Sequence, residues 1–172
     1  HQLVYDALNM IYLRTIILMN HFEWNEKAGQ YSYNPNKVQI QKNKQSGYID
    51  ITIFKEDHTL GNLIASYLKK LFITDKSLTG QELLNFASYR APHPLEEKIV
   101  ITIGFKADLD LSDIFSKLGL KSSDNDINRA IQCMFIACSA YLKLINTMKT
   151  NWETLSGIKQ SSYILEDNDM IR

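Results

Sequence analysis

Tyr48-Ile49-Asp50-Ile51-Thr52-Ile53-Phe54-Lys55-Glu56-Asp57-His58-Thr59-Leu60-Gly61-Asn62-Leu63 changes period halfway along. In its first half Ile49, Ile51 and Ile53 alternate with Tyr48, Asp50 and Thr52, which predicts a half-buried strand over Tyr48 to Phe54. From Leu60 the apolar positions become Leu60, Leu63, Ile64, Tyr67, Leu68 and Leu71, the spacing of a helix with one buried side. Asp57 or Thr59 stands where that helix needs an acceptor for its free N–H groups. Gly61 lacks a side chain and lets another backbone or subunit approach the first turn, where Asn62 can hydrogen-bond a neighbouring chain.

Working outward, a second strand is expected over Phe86 to Arg90 and a third over Lys98 to Phe105, whose Ile99, Ile101, Ile103 and Phe105 share a face. Pro92 and Pro94 bracket His93 between them and make a stiff corner. Leu109 to Leu118 fits a short helix stopped by Gly119. The longest regular signal follows: Ile127, Ile131, Met134, Cys138, Tyr141, Ile145, Met148, Trp152 and Leu155 alternate four and three, predicting a helix of roughly 40 Å. At the other end, Val4, Leu8, Ile11, Leu18 and Phe22 form a similar stripe, with Thr15 in the remaining place. The chain therefore divides into a helix over 1–22, a linker over 23–46 with at most a short extended piece at Val38 to Ile40, a domain over 47–156 and a polar tail over 157–172. The fold class is α/β in the two-layer α+β sense, a mostly antiparallel sheet covered by helices. One such domain cannot cover the whole stripe from Ile127 to Leu155, so the two striped helices are expected to pack together, in this chain or across to a partner.

Composition limits the chemistry. Nineteen Lys plus Arg balance nineteen Asp plus Glu, so the electrostatic field that drives sequence-independent nucleic-acid binding is missing. Lys37, Lys42 and Lys44 beside Tyr31 and Tyr33 fit a solvated loop better than a nucleic-acid surface. The nearly apolar run Met10 to Met19 is too short for a bilayer and is interrupted by Arg14. Asp108, Asp110 and Asp113 fit an acidic helix start better than a metal site. Cys133 and Cys138 offer neither a disulfide framework nor a zinc site. The four histidines are scattered, and seven glycines never cluster into a phosphate-binding loop.

Two strings are more distinctive: Lys55-Glu56-Asp57-His58-Thr59-Leu60-Gly61-Asn62-Leu63, and Tyr89-Arg90-Ala91-Pro92-His93-Pro94-Leu95-Glu96-Glu97-Lys98-Ile99. In this order, between strands and before a long helix, they resemble the small alpha-like subunit of multisubunit DNA-directed RNA polymerases, the eleventh subunit of polymerase II and subunit L of archaeal enzymes. The likeness runs from about Gly47 to Leu155, and the loop Ile73 to Leu84 and the segment Asp108 to Ser123 are longer than the family pattern.

The resemblance implies the alpha-like dimerisation fold and a non-catalytic role in transcription, scaffolding assembly of the large subunits. It implies no catalytic residue, cofactor or metal here, because the polymerase magnesium belongs to the largest subunit. The interface it implies comprises Asp57, His58, Thr59, Leu60, Gly61, Asn62, Tyr89, Arg90, Pro92, His93 and Pro94, with Ile131, Met134, Cys138, Tyr141, Ile145, Met148 and Trp152 on the long helix. Val4, Leu8, Ile11, Leu18 and Phe22 would form a helix seam, since the first helix resembles one near the end of the larger alpha-like subunit. Partners would be that larger subunit, in the same polypeptide or another, together with the large and small assembly subunits, and no membrane.

Some large DNA viruses fuse the two alpha-like subunits, larger first, and this sequence is expected to be the C-terminal part of such a fusion. An ordinary N-terminal helix of an independent domain is the other reading. The expected location is the nucleus for a cellular enzyme, or the host cytoplasm and virion for a viral one. A stand-alone dimerisation domain used outside transcription is the competing function. On charge alone, the purified chain is expected to leave a labelled DNA duplex unbound at physiological salt in an anisotropy titration. Nanomolar affinity would contradict that expectation.

Overall fold

The computed structural model describes residues 2–121 and 123–157. In chain order it contains α1 (Gln2–Met19), β1 (Phe22–Asn25), β2 (Gln30–Tyr33), β3 (Val38–Lys42), β4 (Ile49–Phe54), α2 (His58–Lys69), β5 (Leu84–Arg90), β6 (Lys98–Phe105), α3 (Leu111–Lys117) and α4 (Asp126–Ser156). A wider π-helical turn, Lys70–Thr74, prolongs α2 and carries Phe72 into the core.

Four strands form an antiparallel sheet in the order β3-β4-β6-β5. Its register stacks β-branched residues across one face, with Ile51 opposite Ile40 and Ile101, and Ile53 opposite Val38 and Ile99. Such rows suit a pleated surface buried on one side. Ile49, Ile51, Ile53, Ile99, Ile101 and Ile103 are all buried. Along the opposite face Asp50 pairs with Thr102 and Thr52 with Val100.

Helix α2 lies over β5 and β6 and turns Leu60, Ile64, Ala65 and Leu68 inward. The first half of α4 packs against α2 and β4, and α1 packs on α4. Asn125 caps α4 by accepting from the Ile127 N–H at 2.9 Å, and Gly157 ends it in the left-handed region at φ 66°. The α4 sequence is long and apolar enough to span a bilayer, and half of its most apolar window is buried inside this fold.

The segment 23–46 corrects the sequence expectation of a linker, for it contains the β1–β2 hairpin and the edge strand β3. These strands are four or five residues long, too short for an alternating pattern to stand out among Asn, Gln and Lys. The hairpin turn is fixed locally: Asn25 Oδ1 accepts from the Lys27 and Ala28 N–H groups, both at 3.0 Å, and Gly29 takes φ 62°. Its aromatic rings then pack on α4, with Phe22 and Tyr31 meeting Phe135 edge-on at 5.5 and 5.6 Å.

Phe22 is consequently a strand residue and not the last position of the α1 stripe, since α1 stops at Met19. Val4 is 44% exposed, outside the seam expected for it, because α1 there runs beside the open end of α4. Leu8 and Ile11 are half-buried and Leu18 is buried. The tail of the sequence division beyond Gly157, including Tyr163 to Leu165, lies outside the described residues. Ile101→Ala, at the centre of the sheet, is expected to cost about 2–5 kcal/mol in urea unfolding, seen as a lower midpoint at unchanged slope.

Candidate subunit interface

The sharpest local construction is the turn from β4 into α2. Lys55 adopts φ 60°, a left-handed conformation uncommon outside glycine, and its N–H donates to the Glu97 carbonyl at 2.6 Å. Asp57 follows in extended geometry as the α2 cap, its Oδ1 accepting from the Thr59 N–H at 2.9 Å and the Leu60 N–H at 3.5 Å. Gly61 is buried, and a Cβ there would lie 2.6 Å from Cδ2 of Tyr89. The neighbour that approaches Gly61 is thus a ring of the chain's own β5, which also meets His58 edge-on at 5.9 Å. Leu60 likewise belongs to the internal core at 1% exposure, which removes it from an intersubunit surface.

What stays outside is His58, Thr59 and Asn62 on α2, with Arg90, Pro92, His93 and Pro94 at the end of β5. Asn62 Oδ1 accepts from the Ser66 hydroxyl at 3.2 Å. Arg90 pairs with Asp50 at 3.2 Å, and the Thr102 hydroxyl donates to the same carboxylate at 2.6 Å. The proline corner is closed by the Leu95 N–H donating to His93 Nδ1 at 3.1 Å, which leaves Leu95 87% exposed.

A second construction joins α1 to this turn. Arg14 donates from Nε to Glu56 Oε2 at 3.1 Å, and its terminal nitrogens reach both oxygens of Asp57 at 3.1 Å. Nη2 also pairs with Glu56. Hydrogen bonding from Arg14 holds the Asp57 carboxyl below its usual range, whereas burial lifts that of Glu56 despite the same guanidinium. One oxygen of Asp57 therefore serves the α2 cap and the α1 contact together.

Beside it the Thr15 hydroxyl lies 3.0 Å from the Tyr141 hydroxyl in a buried contact between α1 and α4, and Tyr67 of α2 meets the Tyr141 ring at 5.6 Å. Burial pushes the Tyr141 hydroxyl well above its ordinary pKa and lifts the Cys138 thiol to about 12. Lys149 bonds Asn9 at 2.9 Å and lies over the rings of Tyr5 and Tyr12 at 5.0 and 5.2 Å. Residues 9 and 15 of α1 thus meet 149 and 141 of α4, an antiparallel pair.

The long stripe divides accordingly. Ile131, Met134 and Cys138 are consumed by the chain's own core, Tyr141 by α1 and α2, and Ile145 is 6% exposed. Met148 is 46% exposed, Trp152 half-buried and Leu155 84% exposed. Among the described residues of the stripe, Met148 and Leu155 are the most exposed.

Sequence reasoning missed Arg14 as a contact, although a single charge inside the run Met10 to Met19 was its signal. It also missed the buried polar residues at the start of α4. Asn128 accepts from the Tyr31 N–H at 3.1 Å and donates to the Gly29 carbonyl at 3.2 Å, while Gln132 donates to the Lys121 carbonyl at 3.0 Å. Arg129 reaches Ser112 at 2.8 Å and Asp126 at 3.2 Å. Asp110 caps α3 by accepting from the Asp113 N–H at 3.0 Å, and Asp113 pairs with Lys117 at 2.6 Å. Among the described residues no group of three or more His, Cys, Asp or Glu side chains is placed to hold a metal ion.

An antiparallel sheet backed by helices, with a capped turn and a proline corner on one edge and a long helix running past the sheet, defines a two-layer α+β domain. The chain belongs to the RNA polymerase Rpb3/Rpb11 dimerisation domain family, whose model matches residues 48–149. It is 43% identical over 67 residues to DNA-directed RNA polymerase subunit Rpo11 of Saccharolobus shibatae, covering 39% of this chain and 61% of the relative. The Rpo11 subunit of Saccharolobus solfataricus is 42% identical over the same length and coverage. The chain thus spans about three fifths of the length of these curated relatives.

Arg14→Ala removes the countercharge from a largely buried Glu56 and is expected to cost about 1–3 kcal/mol at neutral pH. Without Arg14 the Glu56 pKa rises further above its unfolded value, so its destabilisation is present at neutral pH and relieved as pH falls through that raised pKa. In the parent, the stabilisation of the depressed Asp57 is lost at low pH. The Glu56 effect narrows the gap between variant and parent between pH 7 and pH 4.5, which urea unfolding at the two pH values measures, and the Asp57 effect follows only below its unfolded pKa of 3.8.

Proposed function

We propose that this chain works in transcription as the small alpha-like unit of a DNA-directed RNA polymerase, a non-catalytic part whose task is to form the alpha-like dimer that seats the large subunits. The observation that carries this reading is the antiparallel seam of α1 with α4, fixed by Thr15 against Tyr141 and by Arg14 on Glu56 and Asp57, in a chain of the Rpb3/Rpb11 dimerisation family. In it α1 takes the place of a helix from the larger alpha-like partner, carried on the same polypeptide as in a fusion of the two subunits. The rest of the larger unit then meets the exposed stripe positions Met148 and Leu155. The exposed turn and corner, His58, Thr59, Asn62, Arg90, Pro92, His93 and Pro94, face the neighbouring subunits.

Affinity purification of the tagged natural polypeptide from its source tests the reading. Both large polymerase subunits are expected in the purified particle in equal amount with the tagged chain. Their absence, with the chain folded, would assign the domain to dimerisation outside transcription. Ile145→Asp would place an unpaired carboxylate in the seam, at a cost of several kcal/mol. It is expected to lower the melting temperature and remove the large subunits from the purification, while direct catalysis by this chain is not involved.

A further inference from the structure

Leu95 is the most exposed large apolar side chain among the described residues, at 87%. The next two, Leu3 and Leu155, lie near the outer ends of α1 and α4, whereas Leu95 stands in the corner between β5 and β6. The backbone of that corner is closed on itself. Pro94 and Leu95 are the central residues of a turn in which the Glu96 N–H donates to the His93 carbonyl at 3.2 Å, and proline suits the first of those places because its φ is already fixed. The Leu95 N–H donates to His93 Nδ1 at 3.1 Å, which places the proton of that ring on Nε2. The Lys98 N–H donates to the Glu96 carbonyl at 2.8 Å, and the Glu97 carbonyl accepts from the Lys55 N–H at 2.6 Å.

Turns of this kind favour small polar residues, so nothing in the hydrogen bonding calls for a leucine. Single apolar side chains are common on protein surfaces. What sets this one apart is the turn beneath it, which has already given up the backbone freedom that binding would otherwise cost. A carboxylate stands close by in sequence: Glu96 pairs with Lys98, while the Glu97 side chain has no hydrogen bond or ion pair among the described residues. The corner thus presents one rigidly held apolar knob with an unneutralised acid two residues on.

We infer that Leu95 is the anchor by which the proline corner holds a large polymerase subunit, its side chain entering an apolar pocket there while a lysine or arginine at the pocket rim meets Glu97. This rests on the polymerase reading and supplies the residue and the partner chemistry for a surface that the reading leaves general.

Photo-crosslinking in the natural particle tests it, with benzoylphenylalanine incorporated at position 95 of the tagged full chain and, as a control, at position 78. Leu78 is also exposed, but it precedes β5 whereas the corner follows it, so the two positions lie toward opposite ends of that strand. Position 95 is expected to cross-link to one of the large subunits at least about tenfold more than position 78. Leu95→Asp is expected to leave the melting temperature within about 2 °C of the parent, as a surface change does. It is expected to lower the large subunits retained after a salt wash at least about tenfold, with Leu95→Met retaining them. Large subunits in the parent particle with no cross-link from position 95, or with full retention by Leu95→Asp, would overturn the anchor and leave the polymerase reading standing. A cross-link from position 95 to any other protein would overturn it as well. A parent particle without large subunits would overturn both. Should Leu95→Asp lower the melting temperature, Leu95→Ala takes its place in the retention assay.

Discussion

The structure depends on a mismatch of lengths. Helix α4 runs for 31 residues with apolar side chains along its whole length, and a four-stranded sheet can shelter only its first half. Where the sheet gives out, α1 comes alongside, and the Thr15 and Tyr141 hydroxyls meet inside the seam. A phenol that is nearly fully buried needs partners, and the Tyr141 hydroxyl has Thr15 on the other helix and the Cys138 sulfur on its own. The position of α1 is therefore set by a polar requirement inside an apolar seam. This gives the seam a register that hydrophobic burial, being non-directional, would leave loose.

The Arg14 cluster carries the same logic to the edge of the domain. Glu56 and Asp57 belong to the distinctive string of the sequence, and Arg14 of α1 offsets part of their charge, with Glu56 largely covered and Asp57 still 57% exposed. The surface left for other proteins is mostly neutral: two imidazoles, a hydroxyl and a carboxamide, with one exposed carboxylate and one arginine beside two prolines. Recognition over such a face rests on shape and hydrogen bonding more than on long-range attraction.

The strands over 49–54 and 98–105 and the helix over 126–156 were legible because their periods persist for six residues or more. The hairpin was not, and β3 only as the short extended piece at Val38 to Ile40, since each strand is too short to establish a period and is defined by what it packs against. The two strings were legible as a family signature, but their internal division was not. Leu60 and Gly61 turn out to serve the core, with Tyr89 filling the space that glycine leaves, while His58, Thr59 and Asn62 stay outside. Sequence spacing says that these residues lie on one helical turn, and only the neighbouring strand decides which of them remain free. Asn128, Arg129 and Gln132 were hidden for the opposite reason: polar residues at a helix start suggest solvent, and here they bond β2, α3 and the loop carbonyl of Lys121.

Only Asn20 and His21 separate the end of α1 from the hairpin that is itself bonded to α4 through Asn128. A helix tethered so closely to its docking surface meets it at an effective concentration on the order of millimolar, whatever the amount of protein in solution. Its association is first order, insensitive to dilution, and fixed at one helix per domain. Two separate chains making the same seam would obey mass action and could be exchanged or titrated apart.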